Sequence, residues 1–600
     1  MISGIPDRKR TLWSLGLALG AAGAGVGVIA LRSHTPPGIA GTVTPGNLST
    51  PGAITSSAAS VTIRRNDFTN APALSASHRG LNFDFLEDAV QWDATIPASN
   101  GFASIAANPT FQSLVTALDI GSIRTPGGTP SNYYDYSALS LAKTTPRTSS
   151  VKRGKAWISW GINNADQYNK TPGVDWSSFW TFHAATGSVA LIHTANVYKA
   201  GNKSLTSNWI GSTVAATWVS DFAAKGQVGS NWETGNEVYS SDQVPDLEYP
   251  GSATSTGKTY LERACSLATA IKGADSTAKV GLVVYEHEDQ YAGFSVLDNA
   301  SSFCGLASFD FFIIHDYAPL VPKASTVSGS LADGVFYQTG VEMALTYQNL
   351  VSNVSDLRTY LASAHPSDAQ KPVYVTEWSL IMDNAVVDVT KSNWINKGVS
   401  FLMLHHFLNL VAQGAGGLWY WEPLGSYNRL IDPDAVLAGT GTTTTKAYEL
   451  LQQAFKQRGG VVELDVTGSR TYIANGPIGS GCLEGDAPTK CWYAALGYQS
   501  VAEQPYLKAF AAYASGGKLY VTVFNFGATS QTLSLKLSGF TTAKSTVKFD
   551  RWSLQATSSW DDVLGAATTS TSSAASSFGT VSISSETIPA RSVVIYTIAL

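Results

Sequence analysis

Between residues 79 and 425 the chain repeats one pattern: a short apolar or β-branched run, followed by a longer segment with helical stretches such as Tyr260 to Lys272 and Leu350 to Ala364. Runs that are apolar on both faces suit buried strands, and strands alternating with helices lie parallel in one sheet. Eight runs fit: Gly80 to Phe85, Ile120 to Arg124, Val189 to Val197, Asn231 to Asn236, Val280 to Tyr285, Phe309 to His315, Val373 to Glu377 and Gly417 to Trp421. This predicts an α/β chain whose residues 75–455 form a (β/α)8 TIM barrel. Barrels of this kind carry their chemistry at the carboxyl ends of the strands, so the polar residues there are the ones to read.

The flanks read differently. From 456 to 600, alternating segments such as Lys518 to Asn525 and Thr532 to Leu537 sit among Gly and Ser turns and end in Ile588 to Thr597. That texture predicts an appended C-terminal antiparallel β-sandwich. At the other end, Arg8, Lys9 and Arg10 precede 21 uncharged residues, Thr11 to Leu31. Residues 1–32 are therefore expected to be a signal peptide or a signal anchor, which places the rest outside the cytoplasm, either secreted or tethered to the membrane. A Thr/Pro/Ser/Gly-rich stretch over 33–60 reads as a flexible linker. Four cysteines in an exported chain permit disulfides, and Cys482 with Cys491, closing the short loop, is the expected pair.

Composition narrows the partners. Charged residues make up 14% of the chain, against about 25% in an average soluble domain, which excludes bulk disorder and coiled coil. A net charge of -5 leaves no basic footprint for nucleic acid. The chain has no CxxC-type metal spacing and no Gly-rich phosphate loop ahead of a helix, so neither a metal nor a cofactor is expected. Sixteen Trp and 25 Tyr suit flat, neutral, hydroxyl-rich ligands, although most of these rings must be core.

The strand ends carry Arg124-Thr-Pro-Gly-Gly-Thr129, Asn196, Trp232-Glu-Thr-Gly-Asn236-Glu237, His315-Asp316-Tyr317, Thr376-Glu377-Trp378 and Trp419-Tyr-Trp421-Glu422. Two glutamates, Glu237 and Glu377, end the fourth and seventh strands. Splitting an acetal needs two carboxyl groups flanking the bond, one protonated to help the leaving oxygen depart and one ionised to attack or to activate water. Strand ends that face each other across one barrel opening supply such a pair. Glu286, His287, Glu288, Asp289 and Glu422 are rivals that lack an Asn partner and rank second.

At these residues the chain resembles the retaining clan A glycoside hydrolases. Trp-Glu-Thr-Gly-Asn236-Glu237 is similar to the fourth-strand motif of the heparanase-like, β-glucuronidase and arabinofuranosidase groups, and Arg124-Thr-Pro-Gly-Gly-Thr129 with Asn132, Tyr133 and Asp135 resembles their Arg-x-x-Gly-Gly segment. The resemblance covers roughly the barrel, and it departs at Val238, where the clan usually has Pro. It implies that Glu237 is the acid/base and Glu377 the nucleophile of a double displacement. It also implies substrate-binding roles around them. Asn236 would donate to the sugar 2-hydroxyl, Arg124 would hold Glu377 ionised, and Tyr317, near His315, would orient it by a phenolic hydrogen bond. Trp421 would form the floor beneath the sugar, with Asn196 and His315 on the same opening. In the resembling proteins a strand before the barrel often joins the sandwich, as Ser60 to Arg65 would here. The expected partner is an oligo- or polysaccharide. A barrel that only binds polysaccharide, and a transglycosylase using the same residues, remain open alternatives.

Overall fold

The computed structural model describes residues 58–83, 105–141, 176–197, 211–239, 258–285, 294–321, 341–382, 394–472 and 504–600, apart from 133, 136–139, 196, 343, 346–347, 349–351, 422, 425–427, 515–516, 541–545 and 578–579. The predicted signal segment, Asn196, Glu286 to Asp289, Glu422, Cys482 and Cys491 lie outside the described residues.

Eight parallel strands close into a barrel: β1 (Gly80–Asn82), β2 (Ser122–Thr125), β3 (Ala190–Thr194), β4 (Asn231–Glu233), β5 (Lys279–Val283), β6 (Phe311–Val321), β7 (Val373–Met382) and β8 (Gly417–Tyr420). Each pairs with the next, and Trp419 beside Gly80 shuts the ring between β8 and β1. A Cβ on Gly80 would stand 2.5 Å from Trp419 Cδ1, so only glycine lets that indole lie across the seam. Where strands meet helices the contacts are mainly aromatic and aliphatic, with the His193 ring of β3 packed among them against Trp218 and Phe222. Trp232 of β4, for example, meets Trp218 of helix Gly211–Ala224 edge-to-face at 5.2 Å.

All eight expected runs contain a barrel strand, but two strands run on. β6 and β7 stay paired out to Val321 and Met382, past the expected ends at His315 and Glu377. The pairing survives through register shifts between Ile314 and His315 and between Pro319 and Val321. Such bulges re-aim side chains without ending a strand. His315, Tyr317 and Glu377 therefore sit on hydrogen-bonded backbone rather than on loops.

The second unit is one curled ten-stranded sheet, antiparallel except where Ala59–Arg64 runs parallel to Gln531–Ser538. Burial alternates residue by residue along both strands, as expected when one face is covered. Leu533, Leu535 and Leu537 point into a core shared with Val521, Val523, Val581 and Ile583. Ser60 N–H donates to Thr467 O at 2.8 Å and Thr467 N–H to Ser60 O at 3.0 Å, drawing the far strands of the sheet together into a sandwich. Barrel and sandwich share a seam: helix Phe401–Ala412 is buried along nearly its whole length, and the His405 ring lies 5.3 to 5.7 Å from those of Phe510, Phe524 and Phe526.

Cys265 and Cys304 form a disulfide that ties helix Lys258–Ala274 to the segment ahead of β6. The expected Cys482–Cys491 pair lies outside the described residues, and a Cys265–Cys304 bridge is compatible with it.

Candidate active site

Arg124 on β2 organises the mouth of the barrel. Its side chain has no solvent exposure and its guanidinium is used on every edge. Nη1 donates to Glu377 Oε1 at 2.8 Å, Nη2 to Asn236 Oδ1 at 2.7 Å, and Nε to Glu233 Oε2 at 2.8 Å. The same Glu233 oxygen lies 2.7 Å from Nη2. Burial by itself would lower the pKa of this cation, but the charges of Glu233 and Glu377, with their hydrogen bonds, carry it above its ordinary value. Arg124 is thus a fixed positive charge between two buried carboxylates.

Glu377 is held on both oxygens. Oε1 takes the guanidinium, and Oε2 accepts the Tyr317 hydroxyl at 2.6 Å. Burial, then the charges of Glu377 and Glu237, push the Tyr317 phenol far up its titration range, so it stays protonated and a donor. The sequence expected both contacts, Arg124 and Tyr317 on Glu377, and the geometry brings them together. His315 bridges the pair of glutamates: its Nδ1 lies 3.1 Å from Glu237 Oε1 and 3.3 Å from Glu377 Oε2. Glu237, His315 and Glu377 each bring one donor atom within 4.8 Å of the others. Three such ligands are a set a divalent metal can use, but a guanidinium 2.8 Å from one carboxylate opposes a second cation there.

The loop carrying Asn236 and Glu237 is built to a strained shape. Glu237 has a φ of +43°, in the left-handed region, which costs an ordinary residue about 1 kcal/mol or more. Two neighbours impose it. Asn132 clamps the preceding residue from both sides, accepting from Asn236 N–H at 2.8 Å and donating to Asn236 O at 2.7 Å. Gly235, at φ +104°, takes a turn in which a Cβ would meet Val238 and Val197 at 2.6 to 2.7 Å. Thr234 fastens the base of the loop, its hydroxyl donating to Gly281 O at 2.9 Å and lying 2.9 Å from Tyr260 Oη.

No family model matches the chain, and no curated protein matches its sequence. Solved structures do. A family 51 arabinofuranosidase from Xanthomonas axonopodis pv. citri superposes with a TM-score of 0.57 at 14% identity, covering 90% of this chain and 99% of its own. A family 51 α-L-arabinofuranosidase from Bifidobacterium longum gives 0.59 at 15% identity, with 90% and 99% covered. CelM2, a bifunctional glucanase-xylanase from a metagenome library, gives 0.52 at 13% identity, again with 90% and 99% covered. The fold is that of these glycoside hydrolases. The likeness extends through both barrel and sandwich, since nine-tenths of the chain is matched.

Within that fold, six of the expected site residues converge: Arg124, Asn236, Glu237, His315, Tyr317 and Glu377. Trp421 follows β8 and is buried, its N–H on Trp378 O at 3.0 Å. Asn196 is outside the described residues. Three contributors were given no role in the sequence reading of the site. Glu233 shares Arg124 and accepts from Thr194 Oγ1 at 2.8 Å. Thr194 ends β3, and Asn132 clamps Asn236. Glu233 offered only a carboxylate closing a barrel strand beside Trp232, with nothing in the sequence to point it at Arg124. Asn132 stood in the sequence only as part of the Arg-x-x-Gly-Gly segment, and Thr194 had no signal, because neutral polar residues occur at every strand end.

Proposed function

We propose that the chain is a retaining glycoside hydrolase acting on an oligo- or polysaccharide, with Glu377 as nucleophile and Glu237 as acid/base. The observation that carries this reading is the approach of the two carboxylates to within 4.8 Å of each other. Retention through a glycosyl-enzyme calls for carboxyl groups about 5 to 5.5 Å apart, whereas inversion needs roughly 6.5 to 9.5 Å to admit water between them and the sugar. The fold shared with arabinofuranosidases and a glucanase-xylanase supports a glycan substrate.

Each neighbour has a part in the two steps. Arg124 and Tyr317 both donate to Glu377, which suits that carboxylate to attack and leaves to Glu237 the part of proton donor. Glu377 attacks the anomeric carbon while Glu237 gives its proton to the departing oxygen. Glu237, now ionised, takes a proton from water, which attacks the same carbon and releases Glu377. With the carbonyl end of Asn236 on Arg124, its amide nitrogen is the end that donates to a sugar hydroxyl. His315, bridging the two carboxylates, keeps both aimed at one point. The expected export of the chain agrees with the Cys265–Cys304 disulfide, a bond that persists in oxidising compartments.

The test is a panel of aryl β-glucoside, β-xyloside, β-galactoside, β-glucuronide and α-L-arabinofuranoside, with soluble β-glucans and xylan. Proton NMR of the first-formed product should show retained configuration, and Glu237→Ala should spare substrates with self-departing leaving groups such as dinitrophenol. An inverted product would overturn the mechanism. Silence on every substrate would favour a barrel that binds glycan without turnover.

A further inference from the structure

We propose that Glu233 is a positioning residue of this site, acting through Arg124 to set how much of the guanidinium charge falls on Glu377. The inference rests on the reading of Glu377 as nucleophile. Glu233 has no solvent exposure, and among the described residues no hydrogen bond joins it to His315 or Tyr317. Its Oε2 takes the Arg124 Nε edge and the Thr194 hydroxyl, while its Oε1 has no hydrogen-bond partner among the described residues. The counter-charge that Glu233 meets is therefore Arg124. A nucleophile paired with an undivided buried guanidinium would be held ionised but poorly nucleophilic. A second carboxylate on the opposite edge divides the attraction and fixes the plane of the guanidinium, so Nη1 meets Glu377 Oε1 and Nη2 meets Asn236 in one geometry. The groups facing Glu377 are then Arg124 from β2, Glu237 from the loop after β4, and His315 and Tyr317 from β6, with Glu233 behind Arg124.

The discriminating variant is Glu233→Gln, which keeps the shape and removes the charge. On any aryl glycoside that the wild type cleaves, kcat should fall on the order of tenfold or more, as for a misaligned catalytic group, with KM little changed. The acid limb of the kcat/KM profile should move down by about one pH unit, because a like charge has been removed and an opposite one left undivided. Glu233→Asp, which retains the charge and loses reach, should keep the wild-type acid limb while lowering kcat. Thr194→Val removes the hydroxyl from Glu233 Oε2, which sharpens its hold on Arg124 and should move the limb slightly upward; it also serves if Glu233→Gln fails to fold. A readout independent of turnover is the carboxyl carbon resonance of Glu377 in [δ-13C]glutamate-labelled protein, assigned by its loss in Glu377→Gln. Its titration should fall at lower pH in Glu233→Gln than in wild type. Unchanged limb and resonance in a folded Glu233→Gln protein, with only thermal stability lost, would overturn the proposal. An inactive wild type with the resonance displaced as expected would instead sink the hydrolase reading and leave the role of Glu233 standing.

Discussion

The mouth of the barrel and the core of the sandwich are both dry, yet they bury opposite kinds of group. The sandwich packs Leu533, Leu535 and Leu537 against other aliphatic side chains, where each contributes by area and no single partner is indispensable. The mouth buries Arg124, Glu233 and Glu377 together. There, every group depends on a named partner, because a buried charge without one costs several kcal/mol. The difference teaches where function is paid for in stability: a site of this kind tolerates substitution far less than the core beside it.

Four measurements would break or sharpen that contrast. The largest effect should come from Glu377→Gln, expected to lower turnover by roughly 10⁴-fold or more, as loss of a covalent nucleophile does; near-normal activity would end the assignment. Next is Arg124→Met, which leaves two buried carboxylates without a counter-charge and should cost about 3 to 5 kcal/mol in urea unfolding besides abolishing turnover. Leu535→Ala in the sandwich should cost on the order of 2 to 5 kcal/mol with kcat unchanged, so an equal loss of activity would show that the two units are not separable. The smallest effect concerns acid. Burial lowers the His78 pKa to about 4 and the His193 pKa to about 3, against 6.5 unfolded. Between these values the unfolded chain binds more protons, so their contribution is intact above pH 6.5 and is lost as pH falls toward 4 and then 3. Residues 456–600 contain no histidine. Hydrogen exchange at pH 7 and pH 4.5 should therefore show protection falling in β1 and β3 before the sandwich.

What the sequence made legible follows the same division. Alternation announced the sandwich strands, and apolar runs announced the barrel, because both patterns are dictated locally by which face is covered. The paired roles of Arg124, Tyr317 and Glu377 were legible from a resemblance in order and spacing. The extension of β6 to Val321 was not, since bulges between paired strands depend on both strands at once. Nor was the part of Glu233: Trp-Glu-Thr-Gly-Asn-Glu draws attention to its last two residues, and only the closed ring puts its second residue against an arginine from β2. The Asn132 clamp belongs to the same class, joining positions 104 residues apart.

The strand Ala59–Arg64 bears on how the chain comes to exist at all. Ser60 bonds to Thr467, 407 residues away, and its strand pairs beyond that with Gln531–Ser538. The strand is thus a clasp that waits for chain 407 residues further on, and the entropy of closing so long a loop must be met before the clasp rewards it. Cutting out residues 456–600 as a free-standing module would leave the Gln531–Ser538 edge bare, a row of unpaired amides and carbonyls ready to recruit another chain. Such a fragment should aggregate, and adding a peptide spanning residues 58–66 should restore it to solution.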